Sequence, residues 1–419
     1  MTSAKKIPLW LAIIININIV VGGGFFISAS NIFETTGLLA SFPWIICGIL
    51  LLPLVKILSK LSNIYPEAGG IYVYSKNQLG NFWGFISGWG YFIGTVAGNA
   101  MILHAFSSLA QEMSLLKVSP LFTDITFAII FTFLNLMNVT ILERMHILFS
   151  ILKIIPIALA IISFPFLFNM PNIINTPIKP FGLISSMPIA LFAYIGIEAC
   201  CAITHEIKNG KVNASKAMLS SLGIIMFIYA ITQLSLLGIF GIQNNVNPFF
   251  NIVPQFTTNP TAILFGNLIV KLAILSSYLG GFYGMFYANS WNLYAIAKER
   301  KILFSDSLTK LNKHQTPWTC VIAQGMLVIL FFIFSYTSIT TLMTMSGFGV
   351  VIAYILSTTS YLKLAKKNIS EIITVILSIL GCLTLLAFCI NDLINDGIQY
   401  LIPFLGVFLF GFLIYKRKD

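Results

Sequence analysis

Long apolar runs separated by short polar breaks recur along the whole chain. Each is close to the roughly 20 residues that carry a helix across the hydrocarbon core of a bilayer. Twelve runs are predicted to span, at 8–35, 40–61, 82–111, 122–141, 147–168, 182–204, 216–241, 261–295, 317–335, 338–361, 370–390 and 397–415. The gaps between them leave no room for a soluble domain. The pattern therefore predicts an all-α polytopic membrane protein with 12 transmembrane helices. Two runs carry defects. In the first, "NINIVVGGGFFISAS" (16–30) places Gly22, Gly23 and Gly24 in succession where a spanning helix needs none. Contiguous glycines remove the side-chain cost of leaving helical geometry, so a local unwinding is expected there. In the sixth, "ALFAYIGIEACC" puts Gly196 two residues before Glu198, deep in an apolar run.

Unwound backbone at membrane depth is tolerated only where it lines a cavity. The first span enters from one side and the sixth from the other. About 13 residues in from each entry, at ~1.5 Å per residue, both defects fall near mid-bilayer. Such a pair indicates a 5+5 inverted-repeat core with broken helices 1 and 6 and a site between them. The core is assigned to 1–361, with repeats at about 8–168 and 182–361. Two further helices and a tail occupy 362–419. In the first break, the free N–H groups of Gly23, Gly24 and Phe25 and the positive end of the second half-helix suit a carboxylate. Carbonyls of Val20 and Val21, with those around Ala193 and Tyr194, suit an ammonium group. One centre with both poles describes an α-amino acid. The glycines at 80, 84, 88, 94 and 98 are spaced rather than contiguous and are expected to pack helices closely.

Composition and charge support the membrane reading. The chain has 58% apolar and 9% charged residues and a mean hydropathy of +0.92, against about a quarter charged in soluble domains. The net charge of +11 is topological. With an inside N-terminus, all but Lys117, Lys179 and Lys271 of the 24 Lys and Arg fall on one side. That places both termini in the cytoplasm, with the protein in the cell (inner) membrane. No nucleic-acid partner is expected; the surroundings are lipid. The N-terminal run contains Asn16 and Asn18 and reads as a retained span, not a cleaved leader. The six cysteines lack metal-ligand spacing, and "HEIKN" at 205–209 lacks the second histidine of a zinc-protease helix, so neither metal nor cofactor is predicted. No nucleophile–base pair appears at depth, which argues against an enzyme. The Asn- and Pro-rich stretch 242–260 is expected to be an external loop, a partial lid.

The run "LSNIYPEAGGIYVYSKNQLGNFWGFISGWGYF" (61–92) closely resembles the signature of permeases of the amino acid–polyamine–organocation superfamily. The resemblance extends to the first break, to "FAYIGIEACCAITHEIKNGK" and to "NLYAIAKERKILFSDSLTKLNKHQTPW", covering spans one to ten. "GTVAGNAMIL" and "YLGGFYGMF" look most like the basic amino acid/polyamine antiporter branch. The resemblance implies alternating access, with exchange or proton-coupled transport of an amino acid or polyamine. Gly22, Gly23 and Gly24 take the carboxylate-binding turn, Asn99 and Ile102 line the pocket, Phe192 is the gate and Phe282 a wall. Glu198 is the acid that couples gating, and Ser346 is a weaker match. In arginine-exchanging members the gate and wall are tryptophans, whereas Phe192 and Phe282 make weaker cation–π contacts; Ala193 removes a polar neighbour. These departures make a neutral substrate competitive with a cationic one.

Lys153, in "FSILKIIPIALAII", lies about 10 Å into the fifth span. It is either a snorkelling lysine or, as the resemblance implies, a buried amine standing where sodium-coupled relatives hold sodium, and so a proton carrier. His104 is expected to be a hydrogen-bonded packing residue. Asn99 stands evenly between pocket lining and interhelical bonding. A membrane sensor that kept the fold without transport would be expected to lose the first-span glycines. The oligomeric state stays open, a homodimer included.

Overall fold

The computed structural model describes residues 6–113, 118–137, 139–241, 247–300, 302–334, 339–365, 368–396 and 402–415. Lys5, Lys117, Lys301, Lys366, Lys367 and the basic 416–418 lie outside them, as do the start of the expected lid (242–246) and of the last span (397–401). Among the described residues the chain is helical, with three isolated β-bridges in place of strands. The first half comprises α1 (Leu9–Val20), α2 (Gly23–Thr36), α3 (Phe42–Ile64), α4 (Gly70–Leu79), α5 (Asn81–Glu112), α6 (Pro120–Leu134), α7 (Val139–Leu167) and α8 (Met170–Ile174). The second comprises α9 (Gly182–Phe192), α10 (Ala199–Ala202), α11 (Gly210–Phe240), α12 (Pro260–Lys298), α13 (Ser305–Leu308), α14 (Trp318–Phe334), α15 (Ile339–Leu362), α16 (Ile369–Asp396) and α17 (Ile402–Ile414). Seven of these described helices (α3, α5, α7, α11, α12, α15 and α16) are long and apolar enough to cross a membrane, and α1, α6, α9, α14 and α17 are shorter apolar helices.

The apolar stretch 9–36 is helical on both sides of a gap at Val21 and Gly22, where Gly22 is extended (φ −113°, ψ −161°). Between α9 and α10 lie turns rather than helix, and Gly196 adopts φ +106°, a left-handed backbone. A side chain there would be strained and would also meet Ile19 Cγ2 at 2.7 Å. Glycine is the residue both constraints select.

Three expectations are corrected. α6 stops at Leu134 rather than 141, because Asn135 turns its amide back onto Phe131 O at 2.8 Å and the chain leaves the helix. α7 starts at Val139 rather than 147: Glu143 and His146, which read as loop residues, are buried. The signature stretch after α3, read as a loop, folds from Gly70 as α4, ending at Gly80 (φ +97°), which caps helices rather than packing against one. Gly94 does pack closely: a Cβ there would lie 2.9 Å from Gly349 Cα, fixing α5 against α15.

Elsewhere, side-chain caps set helix starts. Asn259 accepts from Thr261 and Ala262 N–H ahead of Pro260 to begin α12. Residues 247–256 form two short 3-10 turns over the end of α2. Asn247 donates to Phe26 O at 3.1 Å, and the Phe249 ring is buried 5.1 Å from that of Phe26. At the opposite end, Ile7 N–H donates to Glu206 O (2.9 Å) and Lys208 N–H to Ile7 O (2.8 Å), a parallel bridge between the start of the chain and the segment after α10. Lys6 adds a bond to His205 O at 2.6 Å.

Candidate functional site

The two interruptions face one cavity of about 50 Å³. Ile19, Val20, Gly22, Gly23 and Gly24 form one wall, and Phe192, Ala193 and Ile195 the opposite one. Thr95, Gly98, Asn99 and Ile102 of α5 close a third side, and Gly281 and Met285 of α12 with Ser346 of α15 complete it. No side chain in this lining carries a charge.

Polar main-chain groups of both interruptions stand on the cavity walls. The first-turn N–H groups of α2, from Gly23 on, have no acceptor within the helix, and no side chain caps them. They form an anion pole. The Gly24 backbone is close to the opposite wall: a Cβ there would lie 3.4 Å from Ala193 Cα and 3.5 Å from the Phe192 ring. Asn99 is buried with both amide atoms unpartnered among the described atoms, although it lines the cavity. Buried amides are normally paired; Asn99 leaves a donor and an acceptor without a protein partner on the cavity wall.

Tyr229 of α11 ties the two interruptions together. Its hydroxyl lies 3.1 Å from both Val20 O and Ala193 O, and its ring stacks on Phe25 with centroids 4.3 Å apart. Val20 O also accepts from Gly22 N–H at 2.7 Å and so has both lone pairs engaged, whereas Ala193 O keeps a second one. Tyr229→Phe is expected to lower thermal stability by about 1 kcal/mol for the lost hydrogen bonding and to slow transport by several-fold. Unchanged melting and uptake in the variant would remove Tyr229 from the account.

Lys153 is 1% exposed, 14 positions beyond the start of α7 and hence ~21 Å along it. Its ammonium donates to Asn18 O at 2.7 Å and to Val21 O. The snorkelling alternative is thereby overturned: the side chain turns inward to the α1–α2 gap. Ser277 also donates to Val21 O at 3.0 Å. Beside them the Asn18 amide meets His146 Nδ1 at 2.7 Å and donates to Gly280 O at 3.1 Å.

Glu198 lies outside the cavity lining, just after the second interruption. It accepts from the Tyr91 hydroxyl (2.7 Å) and from Gly196 N–H (3.1 Å), anchoring the turn to α5. His104 meets Asp124 Oδ2 at 2.9 Å, joining α5 to α6.

Val21, Tyr194 and Phe282 belong elsewhere, and Phe25, expected for its N–H, turns its side chain away. Val21 O is occupied by Lys153 and Ser277, so it does not face the cavity. The Phe25 side chain is buried in an aromatic cluster with Trp44, Phe26 and Tyr229. Tyr194 donates to Trp44 O at 2.8 Å behind the second interruption. Phe282 packs edge-on against Phe131 at 5.5 Å; its neighbours Gly281 and Met285, four apart on one helix face, line the cavity instead. Tyr278 was absent from the sequence reading. Its ring lies 2.1 Å from where a Gly23 Cβ would stand. Tyr278 therefore fills the space that a side chain at position 23 would take. A lone tyrosine in an apolar run was the available signal for both Tyr229 and Tyr278, but only the fold shows what each touches.

A family model described as amino acid permease matches residues 7–413. The chain is 26% identical over 383 residues to the serine/threonine exchanger SteT of Bacillus subtilis (strain 168), covering 88% of this chain and 85% of that protein. It is 23% identical over 440 residues to the gamma-aminobutyric acid permease of the same organism (95% and 91%). The arginine/agmatine antiporter of Chlamydia pneumoniae is 25% identical over 382 residues (83% and 76%). With its matched length running through every interrupted and lining element of the cavity, the chain belongs to the amino acid permease family of the amino acid–polyamine–organocation superfamily.

Proposed function

We propose that the protein is a secondary transporter of small neutral amino acids in the cell membrane, working by alternating access around the cavity between the two interruptions. One observation carries this: two interrupted helices place an anion pole and the Ala193 carbonyl, with a lone pair free, on opposite walls of an uncharged cavity. The α-carboxylate binds the N–H groups of Gly23, Gly24 and Phe25, and the α-ammonium binds the Ala193 carbonyl. An uncharged lining offers a guanidinium or a second ammonium no counter-charge, which favours a neutral side chain over an arginine or polyamine. A relative that exchanges serine and threonine agrees with that choice.

In this reading α1 with α2, and α9 with α10, are the broken halves of spans one and six. The twelve spans comprise repeats at about 8–168 and 182–361 and two further helices in 362–419, with both termini cytoplasmic. Lys153 carries the coupling proton, because its ammonium holds the carbonyls at the α1–α2 gap and its deprotonation releases them. Glu198 positions the second gap.

The test uses purified protein in liposomes. Labelled serine, alanine, leucine, arginine and putrescine are offered outside, to empty or amino-acid-loaded vesicles, with and without an inward proton gradient. Gradient-driven uptake of a neutral amino acid is expected. Uptake confined to arginine or putrescine would reject the neutral substrate, and absence of any flux would leave the chain as a binding protein on a transporter fold.

A further inference from the structure

Behind Phe192 lies a second cavity, of about 40 Å³, bounded by α15 and α16. Phe192 and Ile195 line both cavities and form the partition between them. The walls beyond are mainly apolar: Met343, Val350, Val351 and Leu385, with Gly347, Thr344 and Cys389 between them. The Tyr354 hydroxyl at its edge is hydrogen-bonded to Glu198 and so is turned to the protein. Close-packed interiors keep few voids larger than a water molecule, and an apolar void stays dry and takes apolar guests. Phe192 is only half-buried, and its ring rests 3.5 Å from the Gly24 Cβ position, beside the anion pole. The Phe192 ring is therefore the movable half of the partition, with Ile195 beside it.

We propose that this second cavity is a side-chain subsite: it receives an aliphatic side chain larger than a methyl group when Phe192 turns aside, and it extends the substrate range to leucine-sized amino acids. The proposal rests on the transport reading above. Phe192 and Ile195 then set specificity as well as gating. An amino acid with a short side chain fits in the first cavity with the partition in place. A longer aliphatic chain passes the partition and meets Val351 and Leu385. A charged or strongly polar chain finds no partner there and is refused.

The test compares leucine and alanine in exchange-loaded liposomes. In the wild-type protein both are expected to be carried. Val351→Phe fills the subsite and is expected to lower the leucine-to-alanine uptake ratio about tenfold or more, the discrimination that a few methylenes support in an apolar pocket. Leu385→Ala enlarges it and is expected to raise the ratio, a check that does not depend on the first variant folding. A ratio unmoved by both, or a wild-type protein that carries alanine and rejects leucine, overturns the subsite and leaves the transport reading standing. A wild-type protein that carries no neutral amino acid overturns both.

Discussion

Gly24→Leu is expected to abolish uptake while the protein still inserts and folds. The Gly24 position is free of hard overlap, since a Cβ meets its neighbours at 3.4 and 3.5 Å, ordinary contact distances. Alanine is therefore expected to be tolerated with weakened binding. Leucine adds three more carbons that project between Gly24 and Phe192, into the space the substrate carboxylate needs. Losing two charge-assisted hydrogen bonds at ~1.5–3 kcal/mol each corresponds to roughly 10²- to 10⁴-fold in affinity. Gly23 gives the contrast: its missing side chain is replaced by the Tyr278 ring, so even Gly23→Ser is expected to disturb packing before binding. Equal uptake by wild-type and Gly24→Leu protein, at matched amounts in the membrane, would falsify the site.

The second large effect is expected from Lys153→Ala, which uncouples transport from the proton gradient and destabilises the fold. Val21 O would keep Ser277 as a donor, whereas Asn18 O would lose the Lys153 ammonium. Asn18 O also lacks its usual helical partner, because Gly22 N–H donates to Val20 O instead. Leaving such a carbonyl buried and unpaired costs about 1–3 kcal/mol. Lys153→Met fills the volume and separates the two effects, since packing is largely kept while the titrating group is gone. Vesicles bearing either variant are expected to equilibrate substrate without accumulating it. Accumulation driven by the gradient at wild-type level in Lys153→Met would mean that the proton travels by another group.

The interruption in the first apolar run was legible because three contiguous glycines favour unwinding over the spaced glycines of a packing face, and the acid after Gly196 marked its counterpart. The residues around those breaks were harder to place. Membrane helices are apolar on nearly every side, so a lining position is not distinguished by hydropathy. Phe282 was assigned by motif and lies about 100° round the helix from its neighbour Gly281, which is enough to turn it from the cavity to Phe131. The depth of Lys153 was misjudged for a different reason. The first turns of its helix carry Glu143, Arg144 and His146, and charged residues signal the membrane edge unless the protein buries them, as it does Glu143 and His146. Val21 and Tyr194 were given carbonyls for the substrate, but the protein's own donors had already reached Val21 O, a competition visible only in three dimensions.

The bridge between Ile7 and Ile207 has a mechanical consequence. It ties the chain ahead of α1 to the segment after α10 by two main-chain hydrogen bonds, with Lys6 as a third tie to His205 O. Main-chain bonds of this kind tolerate almost any side chain, so the tie survives substitution at Ile7 or Ile207 far better than truncation. The free ends of the two interrupted segments are thus spliced into one lever, with the gaps at Val21–Gly22 and Gly196 as its paired pivots. A swing of one half is therefore expected to carry the other with it.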